Sequence, residues 1–480
     1  MKALTVIRPG HAEFQEVEKP KAEDNMILIR VVRAGICATD YSIYSGESSF
    51  VRDGLIRYPV RFGHEWSGVV EAVGENVKKF QKGDRVYADN GVSCGKCPAC
   101  RSGNFAECPH IRSVGTVNAW DGCFAEYMLM PEYHVYPIPD EVGFEEAALI
   151  EPASIAYDAL KGLSLHQDTT LAVIGVGAIG MTAVWLAKYL GAGTVIAVGR
   201  KDHKLCRAKQ VGADTVINNC KTDAVSAIRE MTNGRGADVI IETSGSEAAL
   251  RQAFSMARNR GTIAIASFYE KDLDGIPMDS IVLRSLTIRG AAGCFGNPQA
   301  VCEIMKKNPV SILPVISHRV PFAECLDFFE HAETYKNEKM EQLKPVVVDV
   351  NRVMPLKFGD TYESRMILDH VITKRENVIQ INHGTVKAGA ALGGATHEED
   401  EIYYILGGMG KLRLSDQTID VHAGQVIFIP AGCFHALDNR ESDTDLTILT
   451  FWRDWRYNDA YEERLKQWGT SYRTIDEEEE

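Results

Sequence analysis

Apolar residues in the first part of the chain alternate with polar ones in short runs. Runs rich in β-branched residues occur at Ile27–Val32, Val69–Val73, Val86–Ala88 and Ala125–Met130, separated by Gly, Pro, Asn and Asp. Such alternation, interrupted by turn residues, predicts short strands with one buried face. We therefore expect residues 1–152 to form a partly open β-barrel or sandwich whose loops carry the functional residues.

From residue 153 the pattern changes to continuous apolar runs that alternate with helical stretches. Thr170–Ile174 is a candidate buried strand, and a helical pattern then continues to Leu190. Further strands are predicted at Thr194–Val198, Asp214–Ile217, Val239–Glu242, Gly261–Ala266 and Leu286–Arg289. Repeated strand–helix units predict a doubly wound parallel sheet over residues 153–290.

The remaining pattern divides into a helical part and a second region of short strands. Helices are predicted at Ala300–Lys307 and Phe322–Ala332, followed by a strand at Lys344–Val350 and a linker over residues 351–358. Residues 359–470 then predict a small β-barrel. Its candidate strands are Ile402–Leu406, Lys411–Leu414, Gln425–Ile429 and Leu446–Phe451. Residues 471–480 form an acidic tail. The chain is thus predicted to be an α/β multidomain protein.

Composition and charge exclude several classes of function. A chain of 480 residues with net charge −14 and no basic stripe does not fit nucleic-acid binding. The longest apolar run, Leu171–Ala187, is interrupted by glycines, so we expect no membrane span. No secretory signal opens the sequence, and the twelve cysteines lack the arrangement of a small secreted scaffold. We expect a cytoplasmic protein.

Four cysteines lie close together within the first predicted domain. Cys94, Cys97 and Cys100 are separated by two residues each, and Cys108 follows seven residues later. Four thiolates at this spacing can surround one tetrahedral ion and leave no open position, which predicts a structural zinc site. The alternative is a set of free buried thiols or disulfides.

A second metal site is predicted around His64 and Glu65, which adjoin one another between Gly63 and Gly68. A His–Glu pair alone is usually a solvated surface feature. Cys37 lies upstream and Glu151 downstream, however, and thiolate, imidazole and carboxylate are the ligand types of a catalytic zinc. We therefore expect two zinc ions per chain.

A glycine-rich turn follows the predicted strand Thr170–Ile174. Gly175, Gly177 and Gly180, with Ile179 among them, lie between this strand and a helix. In that context the glycines permit a tight turn, close approach of a pyrophosphate and helix–strand packing. The helix N-terminus then faces the phosphates of a bound dinucleotide.

The end of the next predicted strand indicates which dinucleotide is bound. An NAD site usually carries an acidic residue there, but this chain has Gly199, Arg200 and Lys201. The absence of a carboxylate at this position and the presence of the Arg200 guanidinium favour NADP over NAD. Asp202 lies close enough in sequence to support NAD as the alternative.

These motifs together make residues 1–350 resemble the zinc-dependent medium-chain dehydrogenase/reductase family, which includes alcohol, sorbitol and threonine dehydrogenases. The resemblance rests on Gly63-His64-Glu65 with Gly68 and Gly74, on the stretch from Gly35 to Asp40, on the four cysteines and on the dinucleotide fingerprint. It implies a GroES-like catalytic domain, residues 1–152 plus 291–350, split by a Rossmann domain. The substrate would bind in the cleft between the two domains.

The resemblance also implies roles for single residues. Cys37 and His64 would bind the catalytic zinc, and Glu151 stands where many alcohol dehydrogenases have a second cysteine. Glu65 would be either a ligand or a neighbour that acts through water.

Two further roles and a reaction follow from the same resemblance. Thr39 would pass the alcohol proton outward, and Asp40 would orient His64. The reaction would oxidise a secondary hydroxyl of a polyol, cyclitol, sugar or glycoside to a ketone with NAD(P). A simple alcohol or threonine-like dehydrogenase is the alternative, and a homo-oligomer, dimer or tetramer, is expected. A non-catalytic, crystallin- or chaperone-like reductase is a third hypothesis.

Residues 356–470 resemble a cupin. The second cupin motif is complete, with Gly424, Pro430-Ala431-Gly432, His435 and Asn439 at the family's intervals. The first motif is partial, because Glu401 and Gly408 fit but Ala395 stands where a histidine is usual.

A divalent metal is a candidate ligand of this barrel. His397, Glu401 and His435 would form a face of two histidines and one carboxylate. The alternative is a metal-free barrel with hydrogen-bonded core histidines. The cupin would either isomerise or epimerise the keto product, or serve as a non-catalytic binding or oligomerisation module.

Overall fold

The computed structural model describes residues 1–292, 297–331, 348–369, 379–396, 400–452, 459–470 and 473–474. The chain divides into two compact units, Met1–Met340 and Glu341–Glu480. His397, most of the predicted strand Lys344–Val350 and most of the acidic tail lie outside the described residues. None of the described helices combines the length and apolarity needed to cross a bilayer.

The first 137 residues form antiparallel sheets, as the alternating pattern predicts. Their strands are β1 (Lys2–Arg8), β2 (His11–Glu16), β3 (Met26–Gly35), β4 (Val60–Arg61), β5 (Glu65–Val73), β6 (Arg85–Ala88), β7 (Gly91–Val92), β8 (Arg112–Ser113), β9 (Tyr127–Pro131) and β10 (Val135–Pro137). One sheet has the order β10-β6-β5-β3-β9, and a smaller one has the order β2-β1-β4. Inward residues such as Ile29, Val70 and Met128 share one core.

Short helices lie between the strands of this region and at its junction with the parallel sheet. They are α1 (Ala38–Ser45), α2 (Ser49–Arg52), α3 (Pro98–Arg101), α4 (Phe144–Ala148) and α5 (Ile150–Leu160). Two of them begin at residues of the predicted zinc sites, since Cys37 is the N-cap of α1 and Cys97 is the N-cap of α3.

The second region is the predicted doubly wound sheet. Its strands are β11 (Thr170–Ile174), β12 (Thr194–Gly199), β13 (Thr215–Asn218), β14 (Ala237–Glu242), β15 (Ala257–Ile265) and β16 (Thr287–Gly290). Its helices are α6 (Ala178–Tyr189), α7 (Asp202–Gln210), α8 (Ala224–Met231), α9 (Glu247–Met256) and α10 (Met278–Arg284). All neighbours are parallel in the order β13-β12-β11-β14-β15-β16, with apolar clusters on both faces. The strand order reverses between β11 and β14, which opens a crevice at their carboxyl ends.

Residues 297–331 contact both regions. The helix α11 (Asn297–Lys307) places Val301 and Cys302 in the core beside the parallel sheet. The helix α12 (Cys325–Glu330) places Phe329 in the core of the antiparallel region, against Phe62 and Phe124. The chain therefore returns to its first region after the parallel sheet, while the domain limits at 152, 290 and 350 stay a prediction.

The second unit contains the β-barrel expected of a cupin. Its strands are β17 (Leu356–Phe358), β18 (Tyr362–Leu368), β19 (Gln380–Val386), β20 (Glu401–Gly407), β21 (Met409–Leu414), β22 (Gln417–His422), β23 (Val426–Ile429), β24 (His435–Asp438) and β25 (Leu446–Trp452), and α13 (Asp459–Trp468) follows. They form antiparallel sheets with the orders β17-β18-β19-β25-β20-β23 and β22-β21-β24. All four predicted strands are present, as β20, β21, β23 and β25.

Candidate active site

Strand pairing brings Cys37 beside His64 and Glu65. The end of β3 pairs with the start of β5, with Gly35 opposite Glu65, so the residues flanking this pair meet at one edge of the sheet. One ligand atom from each of Cys37, His64 and Glu65 lies within 4.8 Å of the other two. Gly35 is needed here, because a Cβ atom would lie 2.1 Å from Oε2 of Glu65.

Glu151 faces the same buried space from the first turn of α5. Its Oε1 accepts a hydrogen bond of 3.2 Å from Nδ2 of Asn90, and its Oε2 is buried without a hydrogen-bond partner. Burial raises the pKa of Glu151, and burial together with the Glu151 charge raises the pKa of Glu65 to about 8. The charge of Glu151 therefore disfavours the charged form of Glu65.

This donor set fits a zinc ion. Burial also raises the pKa of the Cys37 thiol. A thiol and two carboxyl groups thus converge in a space where burial disfavours their ionised forms. A divalent cation would stabilise all three in their ionised forms, and a thiolate, an imidazole and carboxylate oxygen are ligands that zinc accepts. Within the described residues, Glu65 rather than Glu151 completes the close group with Cys37 and His64.

Asp40 connects the two sides of this group. Its Oδ2 accepts the backbone N–H of Cys37 at 2.8 Å, and its Oδ1 lies 3.3 Å from Nδ1 of His64. Although burial opposes a charged ring, Asp40 raises the pKa of His64 well above its usual value. Because Asp40 occupies the Nδ1 side, Nε2 is the ring nitrogen that a metal can reach. Thr39 lies half-buried in the first turn of α1.

The four clustered cysteines also converge. Their sulfur atoms all lie within 4.8 Å of one another, with 3.4 Å between Cys97 and Cys100 and 4.0 Å between Cys94 and Cys100. Sulfurs at about 2.3 Å around a tetrahedral zinc are separated by about 3.8 Å. The backbone N–H group of Lys96 is the main cause that lowers the pKa of Cys94 to about 6, which favours the thiolate. The lobe fits a closed zinc site, and the described cysteines form no disulfide.

The predicted dinucleotide fingerprint lies at the crevice of the parallel sheet. Gly175 directly follows β11 and has a φ of 102°, a conformation that favours glycine. A Cβ atom on Gly180 would lie 1.9 Å from the carbonyl oxygen of Gly175, whereas one on Gly177 would meet no atom within 4 Å. Gly180 therefore brings α6 against the strand, and Gly177 leaves open space in front of the helix. Ile179 lies half-buried in the first turn of α6.

The end of β12 presents cationic residues toward the same edge. Gly199 is the last residue of β12, Arg200 is exposed, and Lys201 is the N-cap of α7. The carboxylate of Asp202 accepts hydrogen bonds of 2.6 Å from both Asn218 and Lys221. The alternative acidic residue for a ribose is therefore already engaged by this chain's own side chains.

Glu242, at the carboxyl end of β14, belongs to a network that the sequence motifs do not reveal. Its Oε1 accepts hydrogen bonds from the backbone N–H and hydroxyl of Ser244, and its Oε2 accepts from Ser267 and from Tyr269. The carboxylate is fully buried. An acid that directly follows the apolar run Val239–Ile241 is the signal that could have indicated it.

The segment that Glu242 holds also contacts the first region. Phe268 packs edge-to-face on Phe50 of α2 with ring centroids 5.0 Å apart. The side-chain carboxylate of Glu270 accepts a hydrogen bond from the backbone N–H of Ser49. The backbone carbonyl oxygen of Glu270 accepts one of 2.8 Å from the guanidinium of Arg52. Residues 267–270 thus connect the parallel sheet to the region that carries the metal ligands.

The cupin barrel brings together two of its three candidate ligands. Nε2 of His435 lies 3.1 Å from Oε2 of Glu401, while His397 lies outside the described residues. Ala395 pairs directly with His435 through two backbone hydrogen bonds of 3.0 Å. The position where the family usually has a histidine is thus adjacent to His435 and contributes no donor.

Sequence profiles of three families match the chain. Residues 23–140 match the alcohol dehydrogenase GroES-like domain, residues 178–307 match the zinc-binding dehydrogenase domain, and residues 382–452 match the cupin domain. The sorbitol dehydrogenase of Bacillus subtilis (strain 168) is 32% identical over 338 residues, which cover 70% of this chain and 95% of that protein. The chain belongs to the zinc-binding alcohol dehydrogenase family. It carries a cupin domain in addition.

Other members of the family give the same result. The L-threonine 3-dehydrogenase of Bacillus licheniformis is 36% identical over 335 residues, with 69% of this chain and 95% of that protein covered. A Sinorhizobium meliloti 1021 protein described as a zinc-binding dehydrogenase and bound to NADP superposes with a TM-score of 0.63 at 29% identity, covering 69% of this chain and 95% of that chain. An Escherichia coli CFT073 alcohol dehydrogenase complexed with NADH superposes with a TM-score of 0.63 at 28% identity. The match covers 71% of this chain and 96% of that chain. The dehydrogenase part is therefore an NAD(P)-dependent oxidoreductase of the alcohol, polyol and threonine group.

Proposed function

We propose that this dehydrogenase oxidises a secondary hydroxyl group flanked by a second hydroxyl, in a polyol, cyclitol, sugar or glycoside, to a ketone. The observation that carries the proposal is the pair of carboxylates, Glu65 and Glu151, that lie in the buried space beside the Cys37 thiol. Carboxylate-rich donor sets favour hard oxygen ligands. A substrate with two adjacent oxygen atoms fits such a centre better than a mono-alcohol does.

The roles of the chain's residues follow from their positions. Zinc, when bound, supplies Lewis acidity that lowers the pKa of a hydroxyl group. Cys37, His64 and Glu65 hold the ion, and Asp40 keeps the His64 ring in its orientation. The hydroxyl oxygen of Thr39, in the first turn of α1, takes up the substrate proton and passes it toward solvent. A bound nicotinamide would supply the hydride acceptor.

NADP is the proposed cofactor. Arg200 offers an exposed guanidinium at the end of β12, and guanidinium binds phosphate well. Asp202 is engaged by Asn218 and Lys221, so it is poorly placed to select the unphosphorylated ribose. The two similar structures hold NADP in one case and NADH in the other, so this proposal rests on the residues.

The substrate proposal is tested with matched alcohols. We expect kcat/KM with NADP to be at least about tenfold higher for butane-2,3-diol than for butan-2-ol, because the second hydroxyl adds one hydrogen-bonding or metal-binding contact. Sorbitol and myo-inositol extend the series, and L-threonine tests the amino-alcohol alternative. Equal kcat/KM for diol and mono-alcohol, or a clear preference for threonine, would refute the diol proposal.

Two hypotheses compete for the cupin. It isomerises or epimerises the keto product, whose α-proton the oxidation has made acidic, or it binds small molecules or subunits without chemistry. Following the ketone over time in wild type and in His435→Gln separates them. A changed product distribution supports the catalytic role, and an unchanged one supports the binding role.

A further inference from the structure

The inward-facing residues of the cupin barrel separate into an apolar end and a polar end. At the apolar end, side chains from several strands form one packed cluster: Val386, Ile405, Leu412, Val421, Leu437, Leu446 and Ile448. At the other end, the inward positions of neighbouring strands are polar although they are equally buried: Ser364, Gln380, Asn382, Glu401, Thr450 and Trp452. Strand pairing places Gln380 opposite Trp452 and Asn382 opposite Thr450, so these residues share one part of the barrel.

Arg464 of α13 inserts its side chain into this polar end. It is 1% exposed, and its Nη2 donates hydrogen bonds to Oδ1 of Asn382 at 3.0 Å and to the hydroxyl of Ser364. These partners are neutral, and no described carboxylate lies within ion-pair distance of the guanidinium. Burial lowers the pKa of Arg464 to about 10, against the opposing effects of Tyr362 and Asp369. A buried cation held by neutral groups is costly unless an anion joins it.

Further polar atoms at this end have no hydrogen-bond partner among the described residues. Gln380 is fully buried, yet neither its amide oxygen nor its amide nitrogen is hydrogen-bonded. Nε of Arg464 and Nε1 of Trp452 are also buried and unpaired. Folded proteins rarely leave such groups unsatisfied, and here three neighbours share the same deficit. Three N–H groups among them need an acceptor, and the amide oxygen of Gln380 needs a donor.

We propose that the polar end of the cupin barrel binds a small monoanionic polyhydroxylated carboxylate, such as a sugar acid, with Arg464 as the carboxylate anchor. A guanidinium matches a planar carboxylate, and the amide of Gln380 both donates to and accepts from hydroxyl groups. The indole N–H of Trp452 supplies another donor. Glu401 and Asp369 are buried in the same unit, which disfavours a dianion such as a phosphate ester. This site lies in the second unit and does not depend on the dehydrogenase chemistry.

The test compares D-gluconate with D-sorbitol, which differ only in the carboxylate. Calorimetric titration of the full zinc-loaded chain without dinucleotide should give a Kd for gluconate at least about tenfold lower than for sorbitol, the effect of one charged hydrogen bond. Arg464→Gln should abolish that preference. The matched control Arg440→Gln, an exposed arginine of the same unit, should keep it. If wild type binds the two compounds equally, or binds neither, the unpaired groups are hydrogen-bonded by water and the proposal is overturned. So does a preference that persists in Arg464→Gln.

A second variant decides the matter if Arg464→Gln does not fold. Gln380→Met removes the unpaired amide at similar volume, so it should raise the melting temperature of the unliganded chain. It should also reduce the rise in melting temperature that gluconate produces, because the hydroxyl contacts are lost. An unchanged gluconate effect in Gln380→Met would contradict the proposal.

Discussion

The phenol oxygen of Tyr269 lies 2.7 Å from Oε2 of Glu242, and the hydroxyl of Ser267 binds the same carboxylate oxygen. The alternate residues Phe268 and Glu270 contact α2 instead. One short segment is therefore anchored on the cofactor sheet through its odd-numbered residues and on the catalytic region through its even-numbered ones. The buried carboxylate of Glu242 therefore holds the segment that connects the cofactor sheet to the catalytic region.

Glu242→Gln should weaken cofactor binding without loss of zinc. A glutamine amide cannot accept all the hydrogen bonds that the carboxylate accepts, so residues 267–270 lose their anchor. We expect KM for the dinucleotide to rise about tenfold with a smaller change in kcat. Steady-state kinetics and zinc analysis measure this. The control Glu230→Gln, at an exposed position of α8, should behave as wild type, and an unaltered KM in Glu242→Gln would contradict the anchoring role.

Asp40→Asn should impair catalysis while the fold is retained. The asparagine keeps the volume but loses the charge beside Nδ1 of His64. Removal of such a partner usually costs about 10- to 100-fold in activity or metal affinity. Turnover and zinc content, compared with the exposed control Asp53→Asn, test the expectation. Full activity with full zinc occupancy in Asp40→Asn would show that His64 needs no orientation by Asp40.

Two alanine variants of the fingerprint should separate folding from binding. Gly180→Ala places a methyl group against the backbone oxygen of Gly175 and should cost about 3 kcal/mol of unfolding free energy. Gly177→Ala meets open space, so stability should stay near wild type while the Kd for NADPH rises about tenfold. Thermal melting and fluorescence titration measure the two effects. If both variants lose stability equally, the space in front of α6 has another role.

Arg200→Ala should reduce the preference for NADP. Loss of a charged hydrogen bond to the 2′-phosphate should raise KM for NADP at least about tenfold and leave KM for NAD nearly unchanged. Arg235→Ala, another exposed arginine of the same sheet region, is the matched control. A wild-type enzyme that already prefers NAD, or an Arg200→Ala variant affected equally with both cofactors, argues against the proposed contact.

Cys97→Ser should remove one zinc ion per chain and leave the other. Three thiolates hold a structural ion less well than four, and the loop around α3 depends on it. We expect about one equivalent less zinc and a lower melting temperature, while Cys37→Ser loses zinc and activity with little change in stability. Cys206→Ser, an exposed thiol, is the control. A zinc content of Cys97→Ser equal to that of Cys206→Ser would mean that the lobe holds no ion.

The sequence predicts those parts of the site that local spacing determines. The four cysteines, the glycine turn and the His64–Glu65 pair each lie within a short stretch, so their residue types indicate the chemistry directly. Asn90 reaches Glu151 across 61 residues, and Arg464 reaches Ser364 across 100. Contacts of this kind depend on how strands pair in three dimensions, which no single stretch of sequence records. For the same reason the sequence alone does not choose between Glu65 and Glu151 as the direct zinc ligand.

The division of the cupin interior into two ends has an evolutionary consequence. Folding draws on the apolar cluster around Ile405 and Ile448, whereas recognition would draw on groups that the cluster does not need. Substitutions near Gln380 can therefore alter which molecule is held while the barrel still assembles. A scaffold arranged in this way can acquire new ligands in small steps, each of them compatible with a folded intermediate.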